Sequence, residues 1–403
     1  MKTNFCLIHQ YLPIPLDKKS VTGKHFDFCK YLNNSGVDVT IITADNSHVF
    51  KRSVKVKGFY KTVRISGIKV KFIKTILHNN PRGFVRILNW FIFSFWAWYF
   101  ITVKHYKNIF VSVLPQTNIL SIYFSITSRL RSKIFLEIRD IWPLSGKYLM
   151  GLNENSIVYI LLRQIEKIGY KISDIIVSPL PKFKDYLIKE IKMFDNKFLN
   201  FPNGISKEAM KISNENVVNT FKSSKKNKTL KFGYFGGLGV SNKVENIIRI
   251  LMKLNFNFIV DIYGDGSEKN KLLKISDSRI NFHNPISRFD AISVMKKYDY
   301  LCMAQPDADV YKYGIASLKL VDYLVSNIPI IQFCKKKYEF IESHGLGYFL
   351  DTDSEEQQNS NLKIIFNRNK NKNRSSIINN QTKYLMDNLI LDNYFKNFYK
   401  ILN

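Results

Sequence analysis

Short apolar runs alternate with helical patterns along most of the chain. In the first half, continuous apolar runs predict strands at 5–9, 38–43, 67–73, 109–113, 133–138 and 174–178. In the second half, they predict strands at 230–234, 256–263, 280–282, 300–303 and 328–332. Parallel strands that are buried on both faces are apolar without alternation. The pattern therefore predicts an α/β fold in which helices cover both faces of parallel sheets.

Helical periodicity fills the intervals between these strands. The predicted helices lie at 25–33, 87–103, 118–130, 182–192, 244–254, 267–275, 289–298, 317–325 and 381–402. A polar segment rich in Asn, Ser and Lys separates the two series, and 403 residues are too many for one ordinary core. We predict domains at 1–204 and 230–380, a linker at 205–229 and a C-terminal helix at 381–403.

The charge balance narrows the possible partners. Hydrophobic residues make up 45% of the chain and charged residues 23%, as in globular proteins. The net charge of +29 implies an anionic partner, which can be a phosphate compound, a nucleic acid or a lipid surface. The four cysteines have neither zinc-site nor disulfide spacing, so they are predicted to be buried thiols in a reducing compartment. The N-terminal apolar run is too short for a signal peptide.

An uncharged aromatic segment at 87–103 contains Trp90, Trp96 and Trp98. It lies within residues 46–136, which include 16 Lys and Arg but no acidic residue. Tryptophan-rich helices with basic flanks are typical of membrane interfaces with anionic lipid, whereas a helix packed on a sheet is equally compatible with the pattern. A transmembrane span is disfavoured, because spans need about 20 apolar residues. The three tryptophans are the candidate membrane face.

Glycine-containing loops follow two strands of the second half. One loop contains Gly237 and the next contains Gly264 and Gly266, and Arg288 comes after a third strand. The carboxyl ends of parallel strands share one edge of a sheet, where open α/β sheets bind ligands. Glycine lets the backbone approach a bulky anion, although glycine turns after strands are also common without a ligand. These loops match neither the dinucleotide fingerprint nor the Walker loop.

The stretch 313–331 places a polar loop before an amphipathic helix. Lys319 and Asp322 lie three residues apart on one face of that helix. Its N-terminus frees backbone N–H groups that favour an anion. The sequence therefore allows a cradle for a phosphorylated sugar compound, although this stretch taken alone favours a surface helix between two strands.

Two polar groups in the first half are further candidates. Thr22, Gly23, Lys24 and His25 begin a helix and are suited either to a phosphate or sugar contact or to an ordinary surface turn. The segment EIRDIWP at 137–143 places Arg139 and Asp140 at a strand end, where charges are costly to bury unless they are paired. A structural Arg–Asp pair is the alternative there.

The order of these motifs carries a resemblance that runs almost end to end. The chain resembles bacterial GT-B glycosyltransferases of the large retaining family 4, and within it the branch for O-antigen and capsule sugars that includes N-acetyl-fucosamine transferases. The matching motifs are TGKH, RDIWP, SDIIVSPLPKFKDYLIKE, FPNG, YFGGLG, IYGDG and YGIASLKLVDYLVSNIPII.

The resemblance implies two Rossmann-like domains that face each other across a cleft, with a final helix that crosses back to the first domain. The second domain would hold a nucleotide-sugar linked to UDP or GDP. The first would hold the acceptor, a polyprenyl-diphosphate-linked glycan. No metal is expected, because helix dipoles and basic side chains neutralise the leaving diphosphate. The implied enzyme is a hexosyl- or N-acetylaminosugar transferase, cytoplasmic and peripheral on the inner face of the cytoplasmic membrane.

The resemblance also implies site residues. The donor set is Gly237, Asn242, Lys243, Gly264, Gly266, Arg288, Tyr313, Ile315, Lys319 and Asp322. Asp322 matches the ribose-binding acid of the family's acidic pair, but Gly314 replaces the other acid. Gly237 and Asn242 replace an Arg and a Lys that bind the diphosphate, so Lys319 and Arg288 are expected to supply the charge.

The implied catalytic residues are His25, Arg139 and Asp140, with Gly23 and Lys24 in the acceptor loop. Arg139 replaces a histidine that is common in the family. Two other functions fit parts of the pattern. One is a nucleotide-sugar epimerase with the same fold. The other is a basic non-catalytic protein that binds nucleic acid, although no RNA-binding motif of aromatic and basic residues is present.

Overall fold

The computed structural model describes residues 3–15, 23–47, 52–76, 84–112, 119–120, 122, 132–193, 197–215, 229–253, 257–275, 277–354, 358, 362 and 372–402. The chain divides into two compact units. Unit 1 comprises Met1–Pro202 and Leu391–Asn403, and unit 2 comprises Asn203–Ile390. Most of the predicted helix at 118–130 and most of the predicted linker lie outside the described residues.

Unit 1 is built on an eight-stranded sheet with the order β10-β9-β8-β7-β1-β2-β6-β5. The strands of this unit, including the separate pair β3 and β4, are β1 (Asn4–Ile8), β2 (Asp38–Ala44), β3 (Asn46–Ser47), β4 (Arg52–Ser53), β5 (Tyr60–Ile65), β6 (Ile68–Ile73), β7 (Asn108–Val111), β8 (Lys133–Glu137), β9 (Ile175–Ser178) and β10 (Phe198–Asn200). Its helices are Lys24–Asn34, Phe84–Val103, Leu144–Met150, Ile157–Ile172, Phe183–Tyr186 with the π-helical turn Leu187–Ile191, and Leu391–Leu402.

One edge of this sheet differs from the all-parallel prediction. β5 pairs with β6 in the antiparallel direction, through a turn at Ser66 and Gly67 whose φ angles are 49° and 80°. β5 was missed in the sequence because most of its residues are exposed, so it lacks the apolar run of a buried strand. Edge strands in proteins often carry lysines in this way, since the charge blocks pairing with another sheet.

Aromatic side chains fill the core on one face of the unit 1 sheet. Phe28 of the first helix lies 5.1 Å from Phe398, measured between ring centroids, and Phe201 lies 4.9 Å from Phe398. The helix Leu391–Leu402 therefore belongs to the core of unit 1. The single helix predicted at 381–402 is in fact two, Lys372–Asn388 and Leu391–Leu402.

The aromatic helix begins earlier than predicted and spans Phe84–Val103. Phe93, Ala97 and Phe100 are buried. Lys71 of β6 lies over the Phe100 ring at 4.1 Å, so this side of the helix packs on the sheet. In the part of the chain that the structure describes, no helix is both long and apolar enough to cross a membrane.

Unit 2 is built on a six-stranded parallel sheet with the order β13-β12-β11-β14-β15-β16. Its strands are β11 (Leu230–Phe235), β12 (Phe258–Tyr263), β13 (Ile280–His283), β14 (Tyr300–Ala304), β15 (Ile330–Cys334) and β16 (Gly347–Asp351). Its helices are Lys207–Glu215, Val244–Met252, Lys269–Leu272, Arg288–Met295, Leu318–Ser326 and Lys372–Asn388, with 3-10 turns at Val240–Asn242, Asp309–Tyr313 and Lys336–Tyr338. The strand order reverses between β11 and β14, which is where open α/β sheets bind ligands.

The two parallel sheets confirm the predicted α/β architecture. Two elements of unit 2 differ from the prediction. The strand β16 was not predicted, and the first described part of the expected linker is the helix Lys207–Glu215. Ile205 and Ile390 form a parallel bridge, which ties the beginning of unit 2 to its end.

Candidate functional site

The two glycine loops of unit 2 pack against each other through their backbones. Leu238 N–H donates to the Asp265 carbonyl at 2.8 Å. A Cβ atom at Gly264 would lie 2.0 Å from the Gly236 carbonyl oxygen, and one at Gly266 would lie 2.5 Å from the Leu238 backbone. Gly264 and Gly266 are therefore required by packing alone. Gly237 differs, because it is exposed and a Cβ there would meet its nearest neighbour only at 3.6 Å.

Lys319 lies against the first of these loops, at the point where the strand order reverses. Its Nζ donates to the Tyr234 hydroxyl at 2.9 Å and to Asn242 Oδ1 at 3.0 Å. Gly236, with φ 151°, leaves room for it, because a Cβ there would lie 2.9 Å from Lys319 Cε. Burial lowers the pKa of Lys319 to about 7. A desolvated amine whose hydrogen-bond partners, among the residues that the structure describes, are neutral is poised to receive an anion.

The helix Leu318–Ser326 is held in place by Tyr323. The Tyr323 hydroxyl accepts a hydrogen bond from the Phe235 N–H at 3.0 Å and donates to the Cys302 carbonyl at 3.1 Å. These contacts fix the helix to the end of β11 and the middle of β14. The sequence alone gave no role to Tyr323 or Tyr234, because a buried tyrosine on an apolar face is indistinguishable from ordinary core.

Arg288 and Asp322 form an ion pair beside this lysine. Arg288 Nε donates to Asp322 Oδ1 at 2.7 Å, and both side chains are mostly buried. Burial raises the pKa of Asp322, and Arg288 opposes that shift. Arg288 Nη2 is buried without a hydrogen-bond partner in the described part of the chain. The pair thus retains one donor for a ligand.

The remaining residues predicted to bind the nucleotide-sugar are Tyr313 and Ile315, in the loop before the helix Leu318–Ser326, and Lys243. Tyr313 is buried and Ile315 is half-buried. Gly314 has a φ of 100°, a conformation that favours glycine over the acid expected there. Asn203 Nδ2 donates to the Ala316 carbonyl at 2.6 Å. Lys243 lies between the turn Val240–Asn242 and the helix Val244–Met252. It is half-buried, and its backbone has a left-handed conformation with φ 42°.

A second polar cluster lies at the carboxyl edge of the unit 1 sheet, around the fully buried Glu137. Lys24 Nζ lies 2.9 Å from Glu137 Oε1, and His25 Nε2 lies 2.6 Å from Glu137 Oε2. Ser112 also donates to Glu137 Oε2. Burial would raise the pKa of Glu137, but His25 and Lys24 hold it well below its usual range. Glu137 is therefore a carboxylate whose donors all come from unit 1.

Arg139 and His9 surround this cluster. Arg139 Nε is 4.0 Å from Glu137 Oε2, too far for a hydrogen bond. The rings of His9 and His25 have centroids 5.0 Å apart. Burial lowers the pKa of His9 well below its usual range, and the positive charge of Arg139 lowers it further. The imidazole of His9 is therefore neutral. Asp140 is exposed and accepts a hydrogen bond from Ser145.

Comparison with known proteins finds no matching family model and no similar curated protein. Solved structures match over nearly the whole chain. Sucrose-phosphate synthase from Thermosynechococcus elongatus has a TM-score of 0.70 at 9% identity and covers 99% of this chain and 98% of its own. WaaG, a glycosyltransferase involved in lipopolysaccharide biosynthesis, has a TM-score of 0.63 at 13% identity and covers 100% and 99%. HepE from Anabaena in complex with UDP and glucose has a TM-score of 0.64 at 11% identity and covers 99% of both chains.

These neighbours share one architecture, and the two parallel-sheet units of this chain reproduce it. The chain has the GT-B fold. Identities between 9% and 13% establish that fold alone.

Within this GT-B chain, the sequence-predicted residues fall into two groups. Unit 2 brings together Lys319, Asn242 and the glycine loop, and Arg288 of a neighbouring helix pairs with Asp322, which lies on the same helix as Lys319. Unit 1 brings together Lys24, His25 and Arg139 around Glu137. Asp140 lies apart from the contacts of Glu137, and Gly23 is the N-cap of the helix Lys24–Asn34. Thr22 lies outside the described residues.

Glu137, His9 and Ser112 of the unit 1 cluster were missed as site residues. Glu137 belongs to the EIRDIWP motif, so its position was visible, but its burial and its partners were not. His9 directly follows β1, and a lone histidine after an apolar strand carries no signal. Only the parallel register, in which Ser112 N–H donates to the Ile8 carbonyl at 2.9 Å, brings these strand ends together.

The most exposed aromatic side chains of the aromatic helix are not the three tryptophans. Trp90, Trp96 and Trp98 are half-buried. Four exposed side chains follow each other at intervals of four residues, with exposed fractions of 69% for Phe91, 56% for Phe95, 39% for Tyr99 and 67% for Val103. We call these four residues the aromatic face. Among the described residues, no group of three or more His, Cys, Asp or Glu side chains could hold a metal ion.

Proposed function

We propose that the chain is a retaining glycosyltransferase that moves a hexosyl or N-acetylaminosugar group from a nucleotide-sugar to a lipid-diphosphate-linked glycan in bacterial surface polysaccharide synthesis. The observation that carries the proposal is Lys319, a desolvated amine with neutral partners at the switch point of a Rossmann-like sheet. Such a cation stabilises the charge that develops on a departing diphosphate.

On the donor side, we assign the diphosphate to Lys319, Arg288, Lys243 and the backbone around Gly237. Asn242, which now binds Lys319, would turn its amide toward the same phosphates. Asp322 would accept hydrogen bonds from the ribose hydroxyls, since a carboxylate is an acceptor. Tyr313 and Ile315 would line the sugar or base. No metal is needed in this arrangement, because side chains supply the positive charge.

On the acceptor side, we assign His25, Arg139, Asp140 and the turn at Gly23 and Lys24. In a front-face mechanism the leaving phosphate oxygen takes the proton of the acceptor hydroxyl as the new glycosidic bond forms. The C–O bond to the diphosphate breaks on the same face, so the anomeric configuration is retained. His25 and Lys24 are already bound to Glu137, so in this proposal they position neighbouring groups and do not transfer the proton.

The lipid part of the proposal is supported by exposed apolar surface in unit 1. Besides the aromatic face, the helix Ile157–Ile172 exposes Ile157, Val158 and Leu161. Contiguous exposed apolar patches on a monomer mark interaction surfaces. With a net charge of +29, an anionic bilayer is the favoured partner. Peripheral binding to the inner face of the cytoplasmic membrane is thus part of the proposal.

The test is to incubate the purified full-length chain with a panel of UDP-, GDP- and dTDP-sugars and polyprenyl-diphosphate glycans, and to follow nucleotide release. Release that depends on the acceptor, with a product of retained configuration, supports the proposal. Conversion of the nucleotide-sugar to its epimer without an acceptor would replace it with an epimerase. No reaction with any pair would contradict it.

Membrane binding gives a separate prediction. In liposomes containing anionic lipid, we expect a Phe91→Ser and Phe95→Ser double variant to bind at least tenfold more weakly than the unmodified chain. Each phenylalanine contributes roughly 1.5–3 kcal/mol when it is transferred from water into an apolar environment. Co-sedimentation at fixed lipid concentration measures the change.

The matched control is Phe59→Ser, another exposed phenylalanine of unit 1 that lies outside the helix. It removes one exposed phenylalanine, half of what the double variant removes, from a position beside Trp96. Equal binding by the double variant and the unmodified chain would show that the aromatic face does not contact lipid. Equal weakening by Phe59→Ser would extend the lipid-contacting surface to β5 and its turn.

A further inference from the structure

The unit 1 cluster contains more hydrogen-bond donors than its carboxylate uses. Glu137 Oε2 is hydrogen-bonded to His25 and Ser112, and Glu137 Oε1 is ion-paired with Lys24. Lys24 Nζ also donates to the Phe201 carbonyl at 2.9 Å, so that amine is bonded on two sides. Lys24 thus balances the buried negative charge of Glu137 without any contribution from Arg139. The arginine is a second cation in a cluster with a single buried anion.

Arg139 Nε and His9 Nδ1 are both buried, and neither has a hydrogen-bond partner in the part of the chain that the structure describes. His9 is 4% exposed, so water does not readily replace the missing partner. Leaving a buried donor unsatisfied costs about 1–3 kcal/mol, and more for a charged group. Two such atoms around one strand-end cluster indicate that something else binds them.

The two groups point to one class of ligand. A guanidinium has only donors, and its planar fork matches a carboxylate or a phosphate. A neutral imidazole can donate through one ring nitrogen. Asp140, the neighbouring acid, accepts a hydrogen bond from Ser145. The Arg139 side chain is 33% exposed, so a ligand can approach it from solvent.

We propose that Arg139 and His9 form an oxyanion-binding site at the carboxyl edge of the unit 1 sheet, which holds a carboxylate or phosphate group of a saccharide substrate. Glu137 is the positioning residue of this site, because it holds Lys24 and His25 and so fixes the His25 ring against His9. The identity of the molecule that carries the oxyanion rests on the proposed function, whereas the anion site itself does not. A phosphate would belong to the lipid-diphosphate acceptor, and a carboxylate to an acidic sugar.

The site is tested by calorimetric titration of the full-length chain with inorganic phosphate, D-glucuronate and D-glucose. The chain carries Lys319→Met throughout, which removes the central cation of the unit 2 site, and any anion that unit 2 still binds through Arg288 or Lys243 should not respond to a substitution at Arg139. We expect at least one of the two anions to bind and neutral glucose not to bind. Preference for phosphate assigns the site to the diphosphate, and preference for glucuronate assigns it to an acidic sugar.

Adding Arg139→Gln is expected to weaken anion binding by about tenfold to a hundredfold, because it removes a charge-assisted bidentate contact. Arg139→Lys keeps the charge without the fork and should retain intermediate affinity. The control is Lys171→Gln, which removes an exposed charge elsewhere in unit 1 and should change nothing.

The proposal is overturned if neither anion binds, if Arg139→Gln binds as tightly as its parent, or if Lys171→Gln weakens binding equally. The last result would mean non-specific attraction by the net charge. The measurement uses no donor and no transfer reaction. If the chain binds the anion but transfers no sugar, the anion site is supported and the proposed function is contradicted. If the chain transfers sugar but binds neither anion, the proposed function is supported and this site is contradicted.

Discussion

A Lys319→Met variant should lose sugar transfer by about 10²–10³ in kcat/KM, the range observed when one preorganised electrostatic contact is removed from a site of developing negative charge. The methionine fills the space of the lysine stem beside Gly236 and removes only the cation. Steady-state kinetics with the donor and acceptor pair identified by the panel measure the effect. The binding of free nucleoside diphosphate should weaken in parallel.

Two further properties separate this loss from misfolding. Because burial disfavours the charged amine, the variant should unfold at the same or a higher temperature than the unmodified chain. The control Lys297→Met makes the same substitution at an exposed lysine of unit 2 and should keep full activity. Full activity in Lys319→Met would remove Lys319 from the site and leave Arg288 as the main candidate for the diphosphate.

The affinity for nucleoside diphosphate should also depend on pH through this residue. The pKa of Lys319 is lowered to about 7 in the free chain, so the amine is charged below pH 7 and neutral above it. Only the charged form attracts the diphosphate, so affinity should fall as the pH rises from 7 to 9. In Lys319→Met that decline should be absent. A decline of equal size in both chains would assign the titration to another group.

The second large effect concerns stability. Glu137→Gln should lower the free energy of unfolding of unit 1 by about 3–5 kcal/mol, because it leaves Lys24 buried without its counterion. Urea unfolding followed by tryptophan fluorescence measures this directly. All four tryptophans, at 90, 96, 98 and 142, belong to unit 1, so the signal reports on that unit alone.

The pH dependence of this effect has a definite sign. The folded-state pKa of Glu137 lies well below its usual range, so its stabilisation is complete above about pH 4.3 and is lost as the pH falls through the folded-state value. The difference between Glu137→Gln and the unmodified chain should therefore be largest near neutral pH and shrink in acid.

Glu154→Gln is the matched control for this experiment. It breaks the exposed ion pair with Lys147 and should cost no more than about 1 kcal/mol. If Glu137→Gln is as mild as Glu154→Gln, then the buried cluster does not stabilise unit 1, and Lys24 loses its proton without consequence.

Much of the fold could be predicted because its strands are buried on both faces. Continuous apolar runs gave β1, β2, β6 and β11 to within about a residue, and the two series of strands gave two α/β units. Elements without that signal were missed. β5 is an exposed edge strand, and the helix Lys207–Glu215 lies in a polar segment that reads as a linker.

The candidate site was predicted unevenly, for a physical reason. Lys319 and Asp322 are charged residues on one helix, so sequence spacing places them together. Arg288 follows a different strand, and its ion pair with Asp322 depends on how two helices pack. The burial of Lys319 under Gly236, which lowers its pKa, could not be read from the sequence at all.

By itself, the sequence determined the α/β class, the two strand series, the excess of positive charge and the order of motifs on which the resemblance to GT-B enzymes rests. Only the tertiary structure decided which of those residues meet. It buried Glu137 among Lys24, His25 and Ser112, left Arg139 Nε and His9 Nδ1 without a hydrogen-bond partner among the described residues, and left Phe91 and Phe95 more exposed than the tryptophans. The reason is that desolvation and hydrogen bonding depend on neighbours far apart in the chain, which local patterns of apolar and polar residues do not record.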